Sequence, residues 1–118
     1  MGDVYVRIGI ANPSTGAKSK PIRALADTGA TLTILPARLL EKLGIEPSGT
    51  ANFEMADGRM TTRRVGNAMV TINGESAPSR VVFGRLGDSV LLGVTVLEQL
   101  GLAVDPVRRR LIPAPFRF

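Results

Sequence analysis

Leu25-Ala26-Asp27-Thr28-Gly29-Ala30, running on into Thr31-Leu32-Thr33-Ile34-Leu35, decides how this chain is read. Apolar residues flank a single carboxylate, which places Asp27 on a tight turn between two buried strands. A carboxylate is costly to bury unless hydrogen bonds hold it. The small residues Gly29 and Ala30 let backbone N–H groups come close enough to do so. Asp-Thr-Gly taken alone is also ordinary turn chemistry. The element occurs once, so if Asp27 is catalytic, one chain carries half a site.

The chain has 118 residues, which suits a single domain spanning 1–118. Apolar residues make up 44% of it but aromatic ones only 4%, so aliphatic side chains must fill the core. Cys is absent, which removes disulfide and thiolate chemistry. His is absent too, which removes the usual general base, the Ser-His and Cys-His nucleophile pairs and the commonest zinc ligand. Acid–base work at neutral or acidic pH falls to Asp and Glu. No acidic cluster has ligand spacing, so no metal and no other cofactor is expected. Met1-Gly2-Asp3 lacks the basic start and long apolar run of a leader, and no apolar stretch approaches the roughly 20 residues of a membrane span. A cytoplasmic protein without a membrane partner is expected.

The net charge of +5 comes mostly from arginine. The only clusters are Arg63-Arg64 and Arg108-Arg109-Arg110, and no aromatic residues lie among them to stack on bases. A solvated basic surface is expected rather than a nucleic-acid partner.

Val4, Val6, Ile8 and Ile10 alternate with Tyr5, Arg7 and Gly9, the pattern of a half-buried strand. Asn12 to Gly16 is a turn cluster. Pro21 to Ala26 and Thr31 to Leu35 are the next strands. Pro36 suits the first turn of a helix that continues to Leu43 and stops at Gly44. Residues 52–65 surround Asp57-Gly58, a two-residue hairpin signal in which both residues can take positive φ. Ala68 to Asn73 and Ser79 to Phe83 are two further strands. Ser89 to Leu92 is a strand ending at Gly93. Thr95 opens a second helix with Glu98 as its capping-box partner, and Gly101 stops it. Leu102 to Val104 and Arg109 to Ile112 are short final strands. The class is all-β with two short helices. Leu40-Glu41-Lys42-Leu43-Gly44-Ile45 echoes Leu97-Glu98-Gln99-Leu100-Gly101-Leu102, either as two convergent amphipathic helices or as a duplicated unit that keeps its aspartate in one copy.

Leu25 to Ala30, followed by Leu91-Leu92-Gly93 before a helix, with a hairpin between them, resembles the retropepsin-like aspartic proteases, particularly their short bacterial and archaeal members. The resemblance extends from Val4 to Pro113. It implies a closed β-barrel half-domain of the acid-protease kind, active as a homodimer, that hydrolyses peptide bonds in a peptide or unfolded protein. Asp27 would be the catalytic acid, paired with Asp27 of a second subunit. Thr28 would hydrogen-bond across the pair, Gly29 would give a backbone N–H to the carboxylate, and Ala30 would keep the turn small. Met55, Ala56, Asp57 and Gly58 would be flap residues closing over substrate. Ile34, Leu91, Leu92 and Gly93 would form the pocket or floor, with Met55 and Met60 adding apolar wall; residues of this kind are more often plain core. Retroviral members often carry an acidic residue after the Asp-Thr-Gly-Ala element, paired with an Arg after the second Gly. Thr31 and Val94-Thr95 stand there instead, so both partners of that pair are missing.

Asp57 reads as the hairpin turn residue rather than a third catalytic acid, and Asp105 as a strand-end turn residue before Pro106. In retroviral relatives the chain ends form an interchain sheet; Leu111-Ile112 could do so here, whereas Pro113 and Pro115 disfavour a regular strand over residues 113–118. Two other functional readings stay open on sequence: a peptide-binding or dimerisation module of the same fold with negligible turnover, and a basic nucleic-acid-binding domain.

Overall fold

The computed structural model describes residues 2–118. Strand β1 (Tyr5–Ala11) realises the N-terminal alternation: Ile8 and Ile10 are buried, while Tyr5 and Arg7 stand outside. Strand β2 (Ile22–Ala26) lies antiparallel to it, Tyr5 opposite Leu25. Strand β3 (Thr33–Pro36) starts two residues later than its apolar pattern suggests, because Thr31 and Leu32 still belong to the turn after Asp27. Helix α1 (Ala37–Lys42) follows directly, and Gly44, at φ 76°, ends it.

Strands β4 (Gly49–Glu54) and β5 (Met60–Ile72) form the hairpin foreseen around residues 52–65. Its turn differs from the expectation. Only Gly58 takes a positive φ, 85°, and Asp57 does not. Gly58 N–H donates to the Met55 carbonyl at 2.8 Å and Met55 N–H to the Arg59 carbonyl at 2.7 Å, which makes a three-residue loop with its left-handed residue last. The two-residue turn lies further on. Asn73 (φ 51°) and Gly74 (φ 81°) join β5 to β6 (Glu75–Gly84), with Ile72 opposite Glu75. The two strands expected at 68–73 and 79–83 are therefore the halves of one long hairpin, and β5 runs unbroken from the first turn to the second.

Strand β7 is only Leu91–Leu92. Helix α2 (Val94–Gln99) begins one residue before Thr95 and has Gly93 at its N-cap, with no side-chain cap. The expected Thr95–Glu98 capping box is absent. The carbonyls of the Asp27 turn take up the first N–H groups of this helix instead, as described below. Strands β8 (Leu102–Asp105) and β9 (Arg110–Pro113) close the chain as an antiparallel hairpin. Leu111 and Ile112, candidates for an interchain sheet, pair with Val104 and Ala103 of their own chain. Beyond them Ala114 N–H donates to the Gly101 carbonyl at 2.7 Å, and no strand follows.

The main sheet runs β1-β2-β7-β3-β6-β5-β4, and β1 also pairs with β5 through Gly9 to Ala11. Two parallel pairs, β2 with β7 and β3 with β6, flank one antiparallel contact between Ile34 and Leu91. Each half is a strand, a loop, a strand and a short helix: β2, loop, β3, α1 and β6, loop, β7, α2. This arrangement gives the sequence echo at the two helices a structural counterpart. Both helices set aliphatic residues, Leu40, Val96 and Leu97, into one core with Ile8, Ile10, Leu35, Val70, Val81 and Leu92. Phe83 is the one aromatic residue in that buried cluster.

Candidate active site

Asp27 is placed by the strand crossing. Leu25 and Ala26 pair with Leu91 and Leu92, and Asp27 N–H continues that ladder to the Leu92 carbonyl at 3.0 Å. The chain then turns, with Ala30 N–H reaching back to the Asp27 carbonyl at 3.1 Å. Gly29 N–H donates to the Asp27 carboxylate (Oδ1) at 2.8 Å. A β-carbon on Gly29 would lie 3.2 Å from that same oxygen. The carboxylate is thus oriented by the backbone of its own turn, and Asp27 is half-buried at the turn's surface. Thr28 and Gly29 are exposed beside it, and Ala30 is half-buried.

The turn is locked from behind by α2. Val94 N–H donates to the Ala30 carbonyl at 2.8 Å, and Thr95 N–H to the Thr31 carbonyl at 3.2 Å. Thr31 and Val94-Thr95 carry no side chains that could form an ion pair. Here main-chain hydrogen bonds join them. Two of the orphan N–H groups at the start of α2 are satisfied at the same time.

Gly93 and Thr33 complete the lock. The Thr33 side chain is fully buried, and its hydroxyl accepts the Gly93 N–H at 3.0 Å. A β-carbon on Gly93 would come within 2.5 Å of the Leu32 carbonyl carbon and 2.7 Å of its oxygen. Only glycine fits there, because the atoms it would strike are backbone.

A groove of about 960 Å³ opens between the Asp27 turn and the β4–β5 hairpin. Asp27, Gly29 and Ala30 form part of its lining on one side, Met55 and Ala56 on the other, and Ile34 and Leu91 contribute apolar surface. Not every candidate residue reaches it. Leu92 is fully buried in the core, and Gly93 serves the strand crossing. Asp57 and Gly58 lie exposed in the hairpin turn, outside the groove lining; Met60, exposed at the start of β5, is outside it too. Asp57 accepts the Arg59 N–H at 2.9 Å and the Arg59 guanidinium Nε at 2.7 Å. Those bonds, the backbone one foremost, hold its carboxyl below the ordinary value. It is a turn residue.

Three residues of the site region are invisible to motif reading. Thr33 is one. The others are Arg63 on β5 and Asp88 in the loop before β7, whose side chains form an ion pair in the groove wall. Asp88 also accepts the Arg85 N–H at 2.7 Å. The Arg63 guanidinium, foremost, and the Arg85 N–H hold the Asp88 carboxyl below its ordinary value, outweighing the opposing effect of burial. No local signal links positions 63 and 88, since the contact exists only once the hairpin folds over that loop.

The family model for the gag-polyprotein putative aspartyl protease matches residues 15–99, more than two thirds of the chain. No curated protein matches the sequence. Among solved structures, the EIAV protease complexed with the inhibitor HBY-793 is similar at 16% identity and TM-score 0.63, over 87% of this chain and 92% of that one. The Simian Foamy Virus (mac) protease is similar at 23% identity and TM-score 0.56, over 81% of this chain and 93% of that one. At such identities the likeness speaks for the fold alone. With the family model spanning both the Asp27 turn and the Leu91-Leu92-Gly93 crossing, the chain belongs to the retropepsin-like, gag-type aspartyl protease family.

Proposed function

We propose that this protein is an aspartic endopeptidase that works as a homodimer. The observation that carries the reading is the Asp27 carboxylate, borne on a turn that occurs once per chain and oriented by that turn's own backbone at the edge of a groove. Peptide hydrolysis by carboxylates alone needs two of them, one to deprotonate water and one to protonate the carbonyl oxygen. A two-fold axis beside Asp27 supplies the second from an identical chain. As is established for aspartic proteases generally, two carboxylates about 3 Å apart cannot both ionise, so the pair holds one shared proton. One carboxylate then takes a proton from water as its oxygen attacks the carbonyl carbon, and the other gives its proton to the carbonyl oxygen. Collapse of the tetrahedral diol breaks the C–N bond: the protonated carboxyl gives its proton to the leaving amine, and one diol hydroxyl returns its proton to the other carboxylate, so the pair ends with its single proton restored. The titration belongs to the pair rather than to either residue.

Extended substrate would lie between the Asp27 turn and the β4–β5 hairpin, bound by strand-like hydrogen bonds. In this reading the hairpin is the flap, Met55 and Ala56 cover the substrate, and Ile34 and Leu91 offer apolar subsites. The exposed Thr28 is available to bond across the axis. The return of β5 onto β1 is read as closure of the sheet into a small barrel.

The test is the Asp27→Asn chain. It should fold as the wild type does and lose hydrolysis of an unfolded protein by at least about a thousandfold, in line with the loss of a general acid–base group. Undiminished cleavage by that variant would sink the assignment.

A further inference from the structure

A second cavity, of about 810 Å³, adjoins the groove and shares Ile34, Arg63 and Asp88 with it. Its lining holds Arg38, Arg63, Arg64 and Arg85 against the single carboxylate of Asp88. That carboxylate is already committed to Arg63 and to the Arg85 N–H. Arg85 is itself anchored, its guanidinium donating to the Thr62 carbonyl at 3.1 Å. Arg64 stands over the Phe83 ring, 5.1 Å from its centre. Arg38 and Arg64 are solvent-exposed and, among the described residues, have no carboxylate partner. Guanidinium groups around a concavity are a fork-shaped donor set suited to carboxylates.

We propose that this arginine-lined cavity is a distal subsite for acidic side chains of the extended peptide that occupies the groove. The inference rests on the reading of the groove as a peptide site. Ile34 and the Arg63–Asp88 pair line both spaces, so a peptide leaving the groove at those residues would meet the arginines of the cavity next. The ligand is acidic peptide rather than nucleic acid: the only aromatic side chain in the lining, Phe83, is buried beneath Arg64 and offers no stacking face.

The experiment uses the full-length Asp27→Asn chain and fluorescein-labelled peptides sharing one apolar central segment, flanked at one end by glutamates, by glutamines or by lysines. Fluorescence anisotropy should show the glutamate peptide binding at least about tenfold tighter than the glutamine peptide, as a gained charge-assisted hydrogen bond implies. The lysine peptide should bind weakest, and raised salt should narrow the spread. The doubly substituted Arg38→Gln, Arg64→Gln chain should bind the glutamate and glutamine peptides alike. Equal affinity of all three peptides for the unsubstituted cavity would overturn the proposal. So would displacement of the glutamate peptide by a single-stranded oligonucleotide at lower concentration than by unlabelled peptide. If the glutamate preference holds while the wild-type chain cuts none of the peptides, the subsite stands and the peptidase reading falls. Cleavage without any charge preference separates the two in the other direction.

Discussion

Gly93 N–H donates to the Thr33 hydroxyl at 3.0 Å, across 60 positions of sequence and inside the core. The bond fixes β7 against β3 where the chain passes behind the Asp27 turn. Gly93→Ala would push a methyl group into the Leu32 backbone, which cannot move without displacing the turn. Overpacking of this kind should cost about 2–4 kcal/mol. Thr33→Val keeps the shape but leaves the Gly93 N–H unpaired, at about 1–3 kcal/mol. Urea unfolding of both variants checks the order, with Gly93→Ala the more damaged.

The Arg63–Asp88 pair makes stability depend on pH in a defined direction. Bonding to Arg63 puts the Asp88 carboxyl below its ordinary value of 3.8 in the folded chain. A carboxyl lowered by folding contributes stability in full above its unfolded value, and that contribution fades as pH falls through the folded one. Asp88→Asn should therefore be less stable than wild type by about 1–2 kcal/mol at neutral pH. The gap should be constant down to about pH 5 and close below the ordinary carboxyl value. Thermal unfolding of both chains across that range measures it; a gap that widens on acidification would contradict the ion-pair account.

The two left-handed glycines of the hairpins should respond differently to alanine. Gly74→Ala strains the turn at φ 81° that joins the two core strands β5 and β6, and should lower global stability by about 1–2 kcal/mol. Gly58→Ala imposes similar strain at φ 85°, but in an exposed turn remote from the core. Its effect should appear as faster amide exchange at residues 55–59, with the midpoint of global unfolding nearly unchanged.

The proposed sharing of one site between two chains has a kinetic signature. Activity per chain should fall on dilution. A tenfold excess of Asp27→Asn chains, after exchange, should cut wild-type activity to roughly a tenth by random pairing. Activity that stays proportional to the wild-type chain in both assays would mean that a single chain suffices.

The Asp27 turn, the strand before it and the Leu91-Leu92-Gly93 crossing were legible because each is a local pattern of apolar residues ending at a small one. The hairpin ends were harder. Asp57-Gly58 and Asn73-Gly74 carry the same kind of signal, and only the second forms the two-residue turn. At the first, Asp57 turns its carboxylate to Arg59 and leaves positive φ to glycine alone. The capping box failed for a tertiary reason: carbonyls of Ala30 and Thr31, more than sixty positions earlier, already satisfy the start of α2. Leu92 looked like floor and proved to be core, since the residue that shares its strand, Leu91, takes the face toward the groove. Arg63 and Asp88 meet only in the folded chain, so no window of sequence could have joined them.

Two ties hold the β4–β5 hairpin to the body at one level: Arg63 to Asp88, and the Arg85 guanidinium to the Thr62 carbonyl. Everything from Asn52 to Thr61 lies on the far side of those ties. The arm is therefore riveted at its shoulder, and any swing of its tip must hinge there instead of prying β5 away from β6.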